Sequence, residues 1–155
     1  MEVNGSGRLA QGRLPGKGRL IVAVFVCLIA LIGAVGSQTF LGACIHEDGS
    51  FGACHWAAQA IFGLALLLAA QSLCVITAVL TAGKSFPKAA RTSGICRGLF
   101  LAMALTCILA FFVPGSLIGL CSMETLRCRA LMMPAMRILF TLSALLSVAG
   151  FFLAG

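Results

Sequence analysis

The sequence predicts an all-α integral membrane protein, a four-helix bundle that also reads as two tandem helical hairpins. Three observations predict it. The 155-residue chain is 61% hydrophobic and only 10% charged, and its mean hydropathy of +1.10 means more apolar surface than one small water-soluble core can conceal. Four stretches, at about residues 20–41, 56–82, 98–120 and 133–155, reach the roughly 20 mostly apolar residues that a transmembrane helix needs. The basic residues flank these stretches in a pattern that sets an orientation.

Residues 1–19 carry Gly5, Gly7, Gly12, Pro15, Gly16 and Gly18 without any apolar period. They are expected to form a flexible basic cytoplasmic arm against anionic headgroups, ahead of a four-span domain at residues 20–155. A competing reading makes residues 8–36 a secretory signal with Ala34-Val35-Gly36 as its cleavage site. The apolar run of residues 20–35 exceeds the roughly 7–15 residues of such a signal, and cleavage would leave an odd number of spans.

In the second stretch, Gln59, Gly63, Ala70, Cys74, Thr77 and Thr81 recur at helical spacing, which places small and polar residues on one face expected to pack against other helices. Gln59 needs a partner in hydrocarbon and is a candidate for lining a polar cavity. Residues 83–88 (Gly-Lys-Ser-Phe-Pro-Lys) read as a turn-rich link. Pro114 is expected to kink or end the third helix near its outer end. The fourth stretch repeats the small and polar face with Thr141, Ser143, Ala144 and Ser147. Arg137, near its start, is expected to snorkel to the outer interface. No acid lies in any span, so at greater depth its partner would be a lipid phosphate or an anionic substrate.

Charge orients the bundle. Arg8, Arg13, Lys17 and Arg19 precede the first span, and Lys84, Lys88, Arg91 and Arg97 fill the link between the second and third, so both segments are expected in the cytoplasm along with both termini. The net charge of +7 then reads as a topology signal rather than as a nucleic-acid footprint. The other two connections, which hold Glu47, Asp48 and Glu124, face outward.

Of the eight cysteines, Cys27, Cys74 and Cys107 fall within spans and Cys96 at the start of the third, where a thiol acts as a small hydrophobe. Cys44, Cys54, Cys121 and Cys128 fall on the oxidising side, where disulfides form. Pairing Cys44 with Cys54 and Cys121 with Cys128 closes two short loops, and a bridge between hairpins such as Cys54 to Cys128 is the alternative. The segments correspond: Leu41-Gly42-Ala43-Cys44 matches Ile118-Gly119-Leu120-Cys121, and Cys54 and Cys128 open the helices that follow.

Three roles remain open for these residues. Structural bridges would stabilise loops with little core. A redox relay to a membrane quinone would use Cys44, Cys54, Cys121 and Cys128 as catalytic thiols, with His55 and Arg129 favouring thiolates, although no Cys-x-x-Cys is present. A soft metal or haem would recruit His46, His55, Met123 and reduced cysteines. No cofactor is favoured. His55-Trp56 also reads as an interfacial anchor for the second helix.

Cys54-His55-Trp56, the run Leu117-Ile118-Gly119-Leu120-Cys121, and Cys128-Arg129 followed by Pro134-Ala135 resemble a family of small, functionally uncharacterised bacterial four-span proteins. The similarity covers most of the chain after Leu20. It implies a bacterial inner-membrane location and an association with export-type transport systems. Where members often carry a polar or acidic run after Cys-His-Trp, this chain has Ala57-Ala58-Gln59-Ala60. The layout alone is also similar to quinone-coupled membrane oxidases that regenerate disulfide catalysts. The expected role is a disulfide-stabilised accessory or structural subunit, non-enzymatic, with membrane lipid and other membrane-protein subunits as partners.

Overall fold

The computed structural model describes residues 15–39, 53–82, 86–118 and 131–154. Among these the chain forms four helices, α1 (Pro15–Gln38), α2 (Ala53–Ala82), α3 (Phe86–Phe112) and α4 (Met133–Leu153), and no strand. All four are long and apolar enough to cross a bilayer, so the all-α membrane bundle expected from composition is the fold observed.

The helix ends follow proline chemistry. Pro15 begins α1, Pro87 is the second residue of α3, and Pro134 the second of α4. A proline is tolerated in a first turn because the N–H it lacks has no intrahelical acceptor there. This corrects two expectations. Residues 15–19 of the expected arm belong to α1, and α3 starts at Phe86, inside the expected turn-rich link, rather than near residue 98. Residues 1–14 lie outside the described residues.

Pro114 ends α3 rather than kinking it. The helix stops at Phe112, and the chain folds into a tight turn in which the amides of Leu117 and Ile118 donate to the carbonyls of Phe112 and Val113, each at 3.1 Å. Those bonds satisfy carbonyls that a helix end leaves open. Gly115 sits at the apex with φ of +93°, a left-handed conformation natural to glycine, and the Met133 side chain occupies the space a Cβ would need.

The helices close into a ring in chain order. Packing is most extensive within each hairpin, α1 on α2 and α3 on α4, while the α1–α4 and α2–α3 contacts complete the ring and the diagonal pairs barely touch. The start of α1 meets the end of α4, where Arg19 Nε donates to the Leu153 carbonyl at 2.9 Å. Ser93 of α3 donates its hydroxyl to the Ala154 carbonyl, and the Arg97 guanidinium lies 5.3 Å over the Phe151 ring. Cations and donors at a helix C-terminus offset its open carbonyls and its dipole. One end of the bundle therefore gathers Arg19, Arg97 and the end of α4, and the other gathers His55, Arg137 and the turn after α3.

The inward faces of α1 and α2 are rich in alanine, with Ile61, Leu68 and Val75 of α2 as the bulky exceptions. Ala23, Val26, Ala30 and Ala34 of α1 are buried, as are Ala57, Ala58, Ala65 and Ala69 of α2. Without a hydrophobic force between helices in lipid, such surfaces let backbones approach and gain dispersion contacts. The other hairpin packs by bulk: Phe100, Met103, Met136 and Phe140 fill the space between α3 and α4. Its tightest point is Gly150, where the Phe100 ring lies directly against the helix backbone and leaves no room for a Cβ.

Candidate functional site

Most of the candidate chemistry lies outside the described residues: Cys44, His46, Cys121, Met123 and Cys128 all do. The backbone of Cys54 opens α2 within its first turn, and its side chain is not among those described. His55 is half-buried with its ring 5.8 Å from that of Trp56 in an edge-to-face arrangement, and Trp56 is 63% exposed. That pair sits where an interfacial anchor belongs, at the start of a span running His55–Thr81. Among the described residues no three His, Cys, Asp or Glu side chains come together.

Cys27, Cys74, Cys96 and Cys107 are free thiols. Cys96 and Cys107 are buried in the core, Cys27 is half-buried, and Cys74 is exposed.

The polar face read from α2 turns away from the bundle. Gln59, Gly63, Ala70, Cys74, Thr77 and Thr81 are all exposed, so this face does not meet the other helices of the bundle and Gln59 lines no cavity among the described residues. The reason is that α2 has two faces rich in small residues, and the alanine-rich one meets α1. Thr77 and Thr81 hide their hydroxyls by donating to the carbonyls of Cys74 and Thr77 at 3.0 and 2.8 Å. Gly63 has open space where a Cβ would stand. On α4 the expectation divides: Ser143 and Ser147 are buried and Ala144 half-buried, while Thr141 is exposed.

Polar side chains also occur inside the bundle, and sequence reasoning passed over most of them. Gln71 Nε2 of α2 reaches Thr106 Oγ1 of α3 at 3.5 Å, a long contact, and Thr106 donates onward to the Ala102 carbonyl at 2.9 Å. Because α3 and α4 run antiparallel with Phe100 against Gly150 and Phe111 beneath Arg137, Ser143 falls at the depth of Thr106. Gln71 Oε1 and Ser143 Oγ are buried without a partner among the described residues, an arrangement that costs about 1–3 kcal/mol each where no partner is supplied. Ser72 and Ser147 donate to the Leu68 and Ser143 carbonyls at 2.8 and 2.7 Å. The available signal was Gln71-Ser72 in the midst of an apolar run, an amide that hydrocarbon does not tolerate unpaired.

Arg137 is half-buried at the start of α4, with its guanidinium 5.3 Å from the Phe111 ring centroid and its Nε buried without an acceptor among the described residues.

No curated protein and no solved structure matches this chain. A family model described as a domain of unknown function, DUF4418, matches residues 22–153. That range takes in all of α2, α3 and α4 and most of α1, so the match spans the whole bundle. The chain is a four-helix, multi-pass membrane protein that belongs to the DUF4418 family.

Proposed function

We infer that the protein is an accessory subunit of a larger membrane assembly, of export type, in a bacterial inner membrane, with both termini on the cytoplasmic side. The observation that carries this reading is the outward face of α2. Gln59, Gly63, Ala70, Cys74 and Thr77 present small and polar side chains where a bundle surrounded only by lipid has no use for them. The occupant that fits is a transmembrane helix of a partner subunit, close-packed over Gly63 and Ala70 and offering a hydrogen-bonding group to Gln59. Gathering Arg19 and Arg97 at one end of the bundle supports the orientation, because cytoplasmic flanks hold the cations.

A photo-crosslinking residue placed at Ala70 in native membranes tests this. The expected result is a single adduct with another membrane protein, lost when Gly63→Leu is added while the bundle itself stays folded, since no side chain or other helix among the described residues lies within 4 Å of a Cβ at Gly63. Adducts to lipid alone, or to a second copy of this chain, contradict the accessory role.

A further inference from the structure

Arg137 is the strongest unassigned feature of the bundle. It stands about 6 Å along the axis from the start of α4, at 1.5 Å per residue. The guanidinium carbon lies over the Phe111 ring, 5.3 Å from its centroid, and Nη2 lies 3.8 Å from where a side chain on Gly115 would begin. Nε is fully buried and meets no acceptor among the described residues. None of those residues is an Asp or Glu, because the four acids, Glu2, Glu47, Asp48 and Glu124, all lie outside them.

On the outward side of α4 a shallow, almost wholly apolar groove of about 340 Å³ is lined by Arg137, Ile138, Thr141, Leu142 and Leu145. Thr141 donates its hydroxyl to the Arg137 carbonyl at 2.6 Å, which leaves the groove wall apolar. From Arg137 to Leu145 the groove runs about 12 Å toward the middle of the helix. Arg137 stands at the end of this groove nearest the start of α4, and the rest of its lining is apolar apart from Thr141.

We propose that this is a binding site for a glycerophospholipid, with the phosphodiester on the Arg137 guanidinium and one acyl chain along Ile138, Leu142 and Leu145. The planar fork of N–H donors matches phosphate oxygens, and the cation–π contact with Phe111 limits its freedom beforehand. A free phosphate ion satisfies the charge but leaves the groove uncovered. A phospholipid satisfies both, and the bilayer supplies it at the depth where the arginine stands.

Native mass spectrometry of the delipidated full-length protein tests the site, using phosphatidylglycerol and a diacylglycerol with the same acyl chains as probes. Wild-type protein is expected to retain one phosphatidylglycerol per chain at least ten-fold more tightly than diacylglycerol, and 10 mM inorganic phosphate is expected not to displace it (about a thousand-fold excess suits a millimolar-range competitor). Arg137→Gln is expected to remove the preference between the two lipids, and the double variant Leu142→Ala with Leu145→Ala to weaken both. Equal retention of the two lipids by wild-type protein overturns the proposal without any variant. Displacement by inorganic phosphate overturns it in favour of a simple anion site. A ten-fold gain in phosphatidylglycerol affinity in Glu124→Gln overturns it in favour of a loop carboxylate as the native partner.

Discussion

Replacing Gly150 by alanine is expected to destabilise the bundle by about 1–3 kcal/mol, the usual cost of forcing an extra group into a filled core, and replacing it by leucine to prevent the α3–α4 hairpin from packing at all. The Phe100 ring is fully buried and lies against the α4 backbone at this residue, so a Cβ there occupies the position of ring carbons. Neither partner has an easy retreat, because Phe100 is closed in by the rest of the core. Shortening the ring should relieve the clash: Phe100→Leu combined with Gly150→Ala is expected to be more stable than the sum of the two single changes implies. Gly63→Ala supplies the control. It adds the same methyl to open space on α2 and is expected to be neutral or slightly stabilising, since alanine is the better helix former. Thermal unfolding of the purified variants in detergent, Phe100→Leu alone included, reads all five, and a Gly150→Ala protein as stable as wild type would mean that the α3–α4 contact is not the close one described.

Nothing in the sequence around Gly150 distinguishes it from Gly63, and the reason is physical. Glycine in an apolar helix permits close approach, but which neighbour approaches depends on the tertiary arrangement. The same degeneracy explains α2. Its spacing of Gln59, Gly63, Ala70 and Thr77 marks a face suited to a helix, and so does that of Ala58, Ile61, Ala65 and Ser72. Only the fold reveals that the second is inside. The number of helices, by contrast, was legible at once, because hydrocarbon thickness demands a minimum apolar length and four segments meet it. Helix starts were harder to place: Pro15 and Pro87 read as breaks, although a proline in a first turn begins a helix as readily as it interrupts one. The phospholipid site was half legible. Arg137 announced a charge with no acid in any span, but the orphaned Nε, the Phe111 contact and the groove along α4 are tertiary facts.

Removing both Cys121 and Cys128, as serines, is expected to lower stability by about 2–4 kcal/mol, the typical worth of a disulfide closing a short loop, and to reduce the amount of protein in the membrane. Loss of Cys44 and Cys54 together is expected to act in the same way on the other hairpin. In a structural role each pair stays oxidised and resists mild reductant, and its oxidation state is indifferent to added quinone. Thiol trapping in intact cells, with and without a quinone analogue, reads that state directly. A pair that cycles with quinone would instead assign thiol oxidation to the chain, and metal retained after reduction would assign a soft-ion site built with His46, His55 and Met123. The stability loss and the trapping result are separable, since a catalytic pair alters turnover without governing abundance.

These expectations share one premise: that positive charge holds the end of the bundle bearing Arg19 and Arg97 in the cytoplasm. Reporters inserted into the full chain test it most directly. A fluorescent protein inserted after Ser85 is expected to fluoresce, and alkaline phosphatase inserted after Glu124 to be active, which places residues 84–97 inside and the outer cysteines in the oxidising compartment. Active phosphatase after Ser85 and none after Glu124 would reverse the bundle, leave Cys44, Cys54, Cys121 and Cys128 reduced, and contradict the account.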